Sequence, residues 1–296
     1  MNRQTYFSIF TLLLTVAAAA VFLVWNPVAV DADTQADETV CNITIYQPEE
    51  EITRQARSEY TINTSITSRQ DAIDVINAYA EENDIDPNEY SGELIWLLTK
   101  HPESMNFVLG YPINKGYAPA VDIREDIESA NGGVPLFMQW DTRWGYKTYG
   151  SDCMGLTGCG PTCLSMVAVA VTGDSRYDPA MVADYSMANG YYDYENKNGT
   201  YWTLMSEGCE ALGIKATELE AGEENLQQAL STGPVICSMG PGVFTTTGHF
   251  VVITGYNADT ATYTINDPNS VENSQKLWTY EEFGDQINNA WGYEAL

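Results

Sequence analysis

The first strong pattern along the chain is apolar. Residues 6–25 carry no charge, and Arg3 stands just before them. About 20 such residues suffice to cross a bilayer as a helix. The length favours a retained single-span anchor over a cleaved signal peptide, whose apolar part is shorter, and Val30-Asp31-Ala32 is a weak cleavage site. With Arg3 on the short side and acidic residues over 31–38, the C-terminal bulk is expected outside the cell in either case. Residues 1–30 are thus read as anchor or signal, and 31–66, polar and without sustained periodicity, as a spacer.

From Ser68, a suitable N-cap, Ile73, Ile76 and Ala80 recur at helical spacing until a break near Pro87. Leu94, Ile95, Leu97 and Leu98 predict a second helix and residues 105–109 a short third, the pattern ending near Pro112. This helical region, 67–131, suits a spacer, a pro-segment or a substrate-binding lobe. Gly132-Gly133 then opens the main domain, 132–296. Cys163, Met166, Val167 and Ala170 form an apolar helical face that Gly173 closes. Further helices are expected over 179–188, 202–212, 224–230 and 281–289, and strands over 234–239, 249–254 and 260–266. Helices first and antiparallel strands after is an α+β order. No internal repeat is visible.

Charge narrows the range of partners. The chain has 13 Lys and Arg against 41 Asp and Glu, a net of -28, so nucleic acid is excluded as a partner. The acidity reads as a solvated exterior. Six cysteines in an exported chain are compatible with one or two disulfides, although the spacing is no dense framework. Glu38-Thr39-Val40 is not the apolar, small sequence that precedes a lipidated cysteine, so Cys41 is not expected to carry a lipid. Glycosylation sequons begin at Asn42, Asn63 and Asn198 and matter only in a glycosylating host.

Candidate chemistry centres on Gly158-Cys159-Gly160-Pro161-Thr162-Cys163. Pro161 suits the first position of a helix, which puts Cys159 at the positive helix end, where a thiol ionises more readily. Cys163, one turn on, belongs to the apolar face and is expected to be inert. A base follows from counting, since the chain has two histidines. His101 beside Pro102 reads as a half-exposed structural residue. His249 stands at the start of the strand Phe250-Val251-Val252-Ile253 and is the candidate base. On the next strand Asp267 faces His249 directly if the hairpin is centred on Ala258, with a loop of three or five residues. A four-residue loop would slip the register and move Asp267 to the wrong face. In the first case its carboxylate orients the imidazole; in the second Asp267-Pro268-Asn269-Ser270 is simply a turn.

The stretch Val134-Pro-Leu-Phe-Met-Gln139-Trp-Asp-Thr-Arg-Trp144, with Gly-Cys159-Gly-Pro-Thr, Gly-His249-Phe and Asn266-Asp267-Pro, resembles a papain-fold cysteine peptidase family. It is similar to the standalone, exported branch related to the bacteriocin-processing, double-glycine leader peptidases. The resemblance covers about 133–290. It implies an α+β, papain-like fold, with the Cys on a helical part and the His and Asp on an antiparallel sheet. It also implies that Cys159 attacks a carbonyl, His249 shuttles the proton, Asp267 orients His249, and the Gln139 amide helps bind the oxyanion. The plainer reading of Gln139 is an exposed polar residue beside Trp140. Trp140 and Trp144 read as core or cleft wall. The substrate implied is a peptide or protein outside the cell, with hydrolysis of a peptide or isopeptide bond. Coupling to export does not carry over, because the chain has one short hydrophobic segment and no nucleotide-binding motif.

No cofactor is required for such chemistry. A zinc site from Cys153, Cys159, Cys163 and His249 matches no common spacing. Acyl transfer or amidase chemistry on the same triad, and a surface binding module that has lost catalysis, are the remaining alternatives.

Overall fold

A computed structural model describes residues 65–195 and 199–296. The apolar segment 6–25, nearly all of the spacer, Cys41, and the sequons at Asn42, Asn63 and Asn198 lie outside the described residues. Among those described, no helix is long and apolar enough to cross a membrane.

Helix α1 (Arg69–Asn83) begins where the sequence predicts. The Ser68 side chain accepts from the Asp71 N–H, and the Asp71 carboxylate accepts in return from the Ser68 N–H at 2.8 Å. It packs on α2 (Gly92–Lys100) and, through it, on α3 (Met105–Asn114). Pro112 lies inside α3 rather than after it. So near the helix end its missing N–H removes little of the ladder. A short α4 (Arg124–Ser129), which the sequence pattern does not announce, leads into the main domain.

There a small hairpin, β1 (Thr148–Tyr149) and β2 (Asp152–Cys153), runs into the turn α5 (Met154–Thr157) and the buried α6 (Cys159–Thr172). Gly173, in the left-handed region at φ 72°, ends α6 as expected. Helix α7 (Pro179–Ala188) packs on α6, and a single turn, α8 (Thr203–Ser206), follows. The predicted helix over 202–212 is thus only short turns. The rest of the chain builds a six-stranded antiparallel sheet of order β3-β8-β4-β5-β6-β7. Its strands are β3 (Ile214–Glu218), β4 (Val235–Met239), β5 (His249–Asn257), β6 (Thr262–Asn266), β7 (Leu277–Trp278) and β8 (Ile287–Ala295). Helices α9 (Glu223–Leu230), α10 (Val271–Gln275) and α11 (Tyr280–Phe283) sit between them. The architecture is α+β.

Three strands of the sheet, β3, β7 and β8, escape the sequence pattern. Only the start of 281–289 is helical; from Ile287 the chain enters β8, between β3 and β4. Its Trp291 and Tyr293 enter the core beneath α6 while Ala290 enters the opposite one, so covered on both faces it shows no alternation. Strand β3 is an edge whose polar residues face solvent.

The β5–β6 hairpin corrects the expected register. Asn257 pairs with Thr262, leaving a four-residue loop, 258–261, instead of one centred on Ala258. Left alone, that loop would turn Asp267 to the wrong face. A β-bulge at Thr254 adds one unpaired residue and restores the parity: beyond it Ile253 faces Ile265 and Val252 faces Asn266. The Thr254 hydroxyl donates to Thr264 O at 3.2 Å and to Thr264 Oγ1 at 2.9 Å, which pins the bulge. Continuing the ladder puts Asp267 opposite Val251, two residues from His249 and on the same face. The pair are diagonal neighbours rather than direct opposites, within reach of long side chains.

The N-terminal helices share a core with the main domain. Leu94, Leu98, Phe107 and Leu109 are buried in one cluster with Tyr146 and Cys153. The Phe107 ring stacks on Tyr146, centroids 5.0 Å apart. It also lies on Gly155, where an added Cβ would come within 2.2 Å of the ring, so no larger residue fits. Replacing Phe107 by Ala is expected to lower the unfolding free energy by about 3–5 kcal/mol, as measured by urea denaturation.

Candidate active site

Helix α6 starts at Cys159 itself, with Gly158 as N-cap, so Pro161 is its third residue rather than its first. The consequence is unchanged. The first-turn N–H groups have no partner within the helix, Pro161 lacks one, and the positive helix end meets the thiol. Cys159 is half-buried. Beside it, a Cβ on Gly160 would lie 2.5 Å from Thr200 Oγ1, so a side chain there would collide with a group already in use. Thr200 Oγ1 is 2.7 Å from the Tyr149 hydroxyl, which also meets Ser186 Oγ at 2.9 Å.

His249, the first residue of β5, pairs with Met239 of β4 and is buried. Its Nε2 lies 2.7 Å from Asp267 Oδ1. The imidazole and the Cys159 thiol are also close enough for each to shift the other's ionisation. Three groups from α6, β5 and the end of β6 therefore meet. Burial works against charge on His249, but Asp267 and Cys159 outweigh it and raise the imidazole to about 10. Burial likewise pushes the Cys159 thiol up, and the neighbouring His249 more than reverses this, leaving it below the ordinary thiol range. The same contest lowers Asp267: burial raises its carboxyl, and the His249 charge overcomes that.

The Asp267 carboxylate accepts from more than His249. Oδ1 also accepts the Asn269 N–H at 2.9 Å, and Oδ2 accepts Asn273 Nδ2 at 2.7 Å. Its own N–H donates to Ser274 Oγ at 2.9 Å. Asn269, Asn273 and Ser274 were not anticipated from the sequence. They lie in a polar run that carries no spacing signal, and only the folded turn brings them to the carboxylate.

Gln139 is buried, 4% exposed, which removes the exposed reading. Its N–H donates to Pro268 O at 2.7 Å, so it is tied to the turn that holds Asp267. Its side-chain Nε2 donates to Gly155 O at 3.0 Å, and its Oε1 has no partner. Trp140 donates through Nε1 to Asn269 O at 3.2 Å, and Trp144 is fully buried. His101 is half-buried, as expected, but it borders the site: its Nε2 is 3.4 Å from Asn269 Nδ2.

All five described cysteines are free, so Cys159 is not bridged to Cys153. Cys153, Cys163, Cys209 and Cys237 are buried, and burial raises each thiol, Cys153 and Cys237 to about 12.

Residues 132–294, more than half of the chain, match the Peptidase_C39 like family. The chain belongs to that family. This C39-like protein is a cysteine-type peptidase, a hydrolase of papain-like fold. It is similar to the peptidase domain of Streptococcus ComA, a bi-functional ABC transporter involved in a quorum sensing pathway. The identity is 21% over 54% of this chain and 98% of that one, with a TM-score of 0.39. It is also similar to a double glycine motif protease from an AMS/PCAT transporter, solved in complex with the leader peptide. There the identity is 16% over 56% of this chain and 94% of that one, TM-score 0.33. No curated protein matches the chain.

The electrostatics make a direct prediction for this C39-like peptidase. Iodoacetamide at pH 6 should alkylate Cys159 selectively, as read by mass spectrometry, while the four buried thiols stay unmodified. With His249 changed to Ala the reaction should slow by at least about tenfold, because the thiolate loses its counter-ion.

Proposed function

We propose that the protein is an exported peptidase that hydrolyses peptide or isopeptide bonds by nucleophilic catalysis at Cys159. The observation that carries this reading is the 2.7 Å bond between His249 Nε2 and Asp267 Oδ1, on an imidazole that also draws the Cys159 thiol below its ordinary range. Asp267 accepts the Nε2 proton and so fixes the ring with Nδ1 towards sulfur. The thiol proton passes to Nδ1, giving a thiolate–imidazolium pair.

The thiolate attacks the substrate carbonyl carbon, and the carbonyl electron pair moves onto oxygen. The Cys159 backbone N–H, unpaired at the helix start, is one donor for that oxyanion. Gln139 is the other: one amide hydrogen is held by Gly155 O, and the second is available. The held hydrogen keeps the amide from rotating away. As the tetrahedral intermediate collapses, the C–N bond breaks, and His249 passes its proton to the departing amine. A thioester remains at Cys159. Water, losing its proton to His249, then attacks the thioester, releases the carboxylate and restores the thiol.

An extracellular or membrane-anchored location is part of the proposal. It is supported by the uncharged stretch 6–25, with Arg3 before it and acidic residues beyond it.

Hydrolysis of quenched fluorogenic peptides by the intact chain tests this reading. Cys159→Ala should abolish turnover, and His249→Ala should reduce kcat by about 10²–10⁴-fold. Unchanged hydrolysis by Cys159→Ala would refute the assignment. The pH profile of kcat/KM should follow the pair. The raised imidazole keeps its proton, and so the pair, until the pH climbs through about 10, where activity falls. The lowered thiol places the acid limb below the ordinary thiol range.

A further inference from the structure

Helix α2 lies outside the family match, yet it faces the turn α5, which leads directly into Cys159. Between them runs a cleft of about 350 Å³, lined by Glu93, Trp96, Leu97, Asp152, Leu156 and Asn269 among others. Its position beside the reacting groups is fixed at both ends. Leu156 is three residues before Cys159 in the chain, and the Asn269 N–H donates to the Asp267 carboxylate.

The lining has a definite chemistry. Trp96, large and apolar, is 45% exposed. Leu156, half-buried, adds aliphatic surface. Glu93 and Asp152 bring two carboxylates, neither of which forms an ion pair among the described residues. Asn269 contributes an acceptor, Oδ1, that is buried and has no hydrogen-bond partner, a costly state for a polar atom. Apolar walls, two negative charges and an unused acceptor call for a long aliphatic stem ending in a cationic donor.

We propose that this cleft is a specificity subsite that takes a lysine or arginine side chain of the peptide substrate, close to the bond that is cut. The stem lies on Leu156 and the indole of Trp96, whose face attracts a cation. The head group is shared by Glu93, Asp152 and Asn269 Oδ1. An acidic side chain is repelled by both carboxylates, and an uncharged one leaves the acceptor unmet. The inference rests on the peptidase reading and adds a substrate class to it: peptides with a basic residue near the scissile bond.

Hexapeptide pools test it, each with lysine, arginine, norleucine or glutamate fixed at one position and mixtures elsewhere. The same pools are offered to the intact chain, with cleavage read by mass spectrometry, and to immobilised Cys159→Ala protein, with retention read in the same way. The expected result is that, at one position, the lysine and arginine pools are retained and cleaved about tenfold better than norleucine. In Glu93→Gln/Asp152→Asn and in Trp96→Ala this ratio should fall towards one, with near-UV circular dichroism reporting an intact fold. Equal retention of basic and norleucine pools at every position overturns the subsite. So does a preference that survives these substitutions. Basic pools retained but never cleaved would uphold the cleft and remove the peptidase reading, so the two failures are distinct.

Discussion

An imidazole and a carboxylate buried against each other, His249 and Asp267, set the terms for the surrounding chain. Either group alone in that environment would be expensive, since removing one partner of a buried pair strands the other charge at a cost of several kcal/mol. The protein therefore spends much of a turn on one residue. Asn269 and Asn273 also donate to the Asp267 carboxylate, and Ser274 ties its backbone. The same turn anchors the stretch that carries Gln139: Pro268 O takes the Gln139 N–H, and Asn266 donates to Val134 and Pro135. The carboxylate proposed to orient the base and the amide proposed for the oxyanion thus share one rigid support. A shift in one is transmitted to the other.

The Cys159 thiol is positioned by a separate device. Helix α6 is buried along most of its length, so its first residue cannot move without disturbing the core. Cys163, one turn behind Cys159, donates to Phe250 O at 3.3 Å, the residue next to His249. The helix that holds sulfur and the strand that holds imidazole are locked together within one turn of both. This packing holds a half-buried thiol beside His249 without a disulfide or a metal among the described residues.

What could be read from the sequence followed from local physics. Ser68 caps α1, Gly173 ends α6, and Cys159 at a glycine-flanked helix start is chemistry that few residues determine. The element that carries His249 was equally plain, being a continuous apolar run. Harder to read was anything that depends on what covers a strand: β8 is buried on both faces and β3 lies open at an edge, so neither shows an alternating pattern. The hairpin is the instructive case. Parity reasoning from the turn alone held that a four-residue loop separates His249 from Asp267, and the loop does have four residues. The parity is repaired at Thr254, and a threonine within an apolar strand gives no warning of a bulge. Asn273 was missed for a related reason, because its partner lies across a fold of the chain that spacing does not encode.

The seat of Phe107 on Gly155 has a consequence for how the N-terminal helices could ever leave. They are held by a shared interior rather than by the peptide link that follows them, so a nick in the stretch 117–122 would leave both pieces in place. Separation would uncover Tyr146 and Cys153 and open one wall of the cleft in front of α5. These helices therefore behave as a fixed jamb of the enzyme's doorway, and a scissor cut alone would not turn them into a detachable cover.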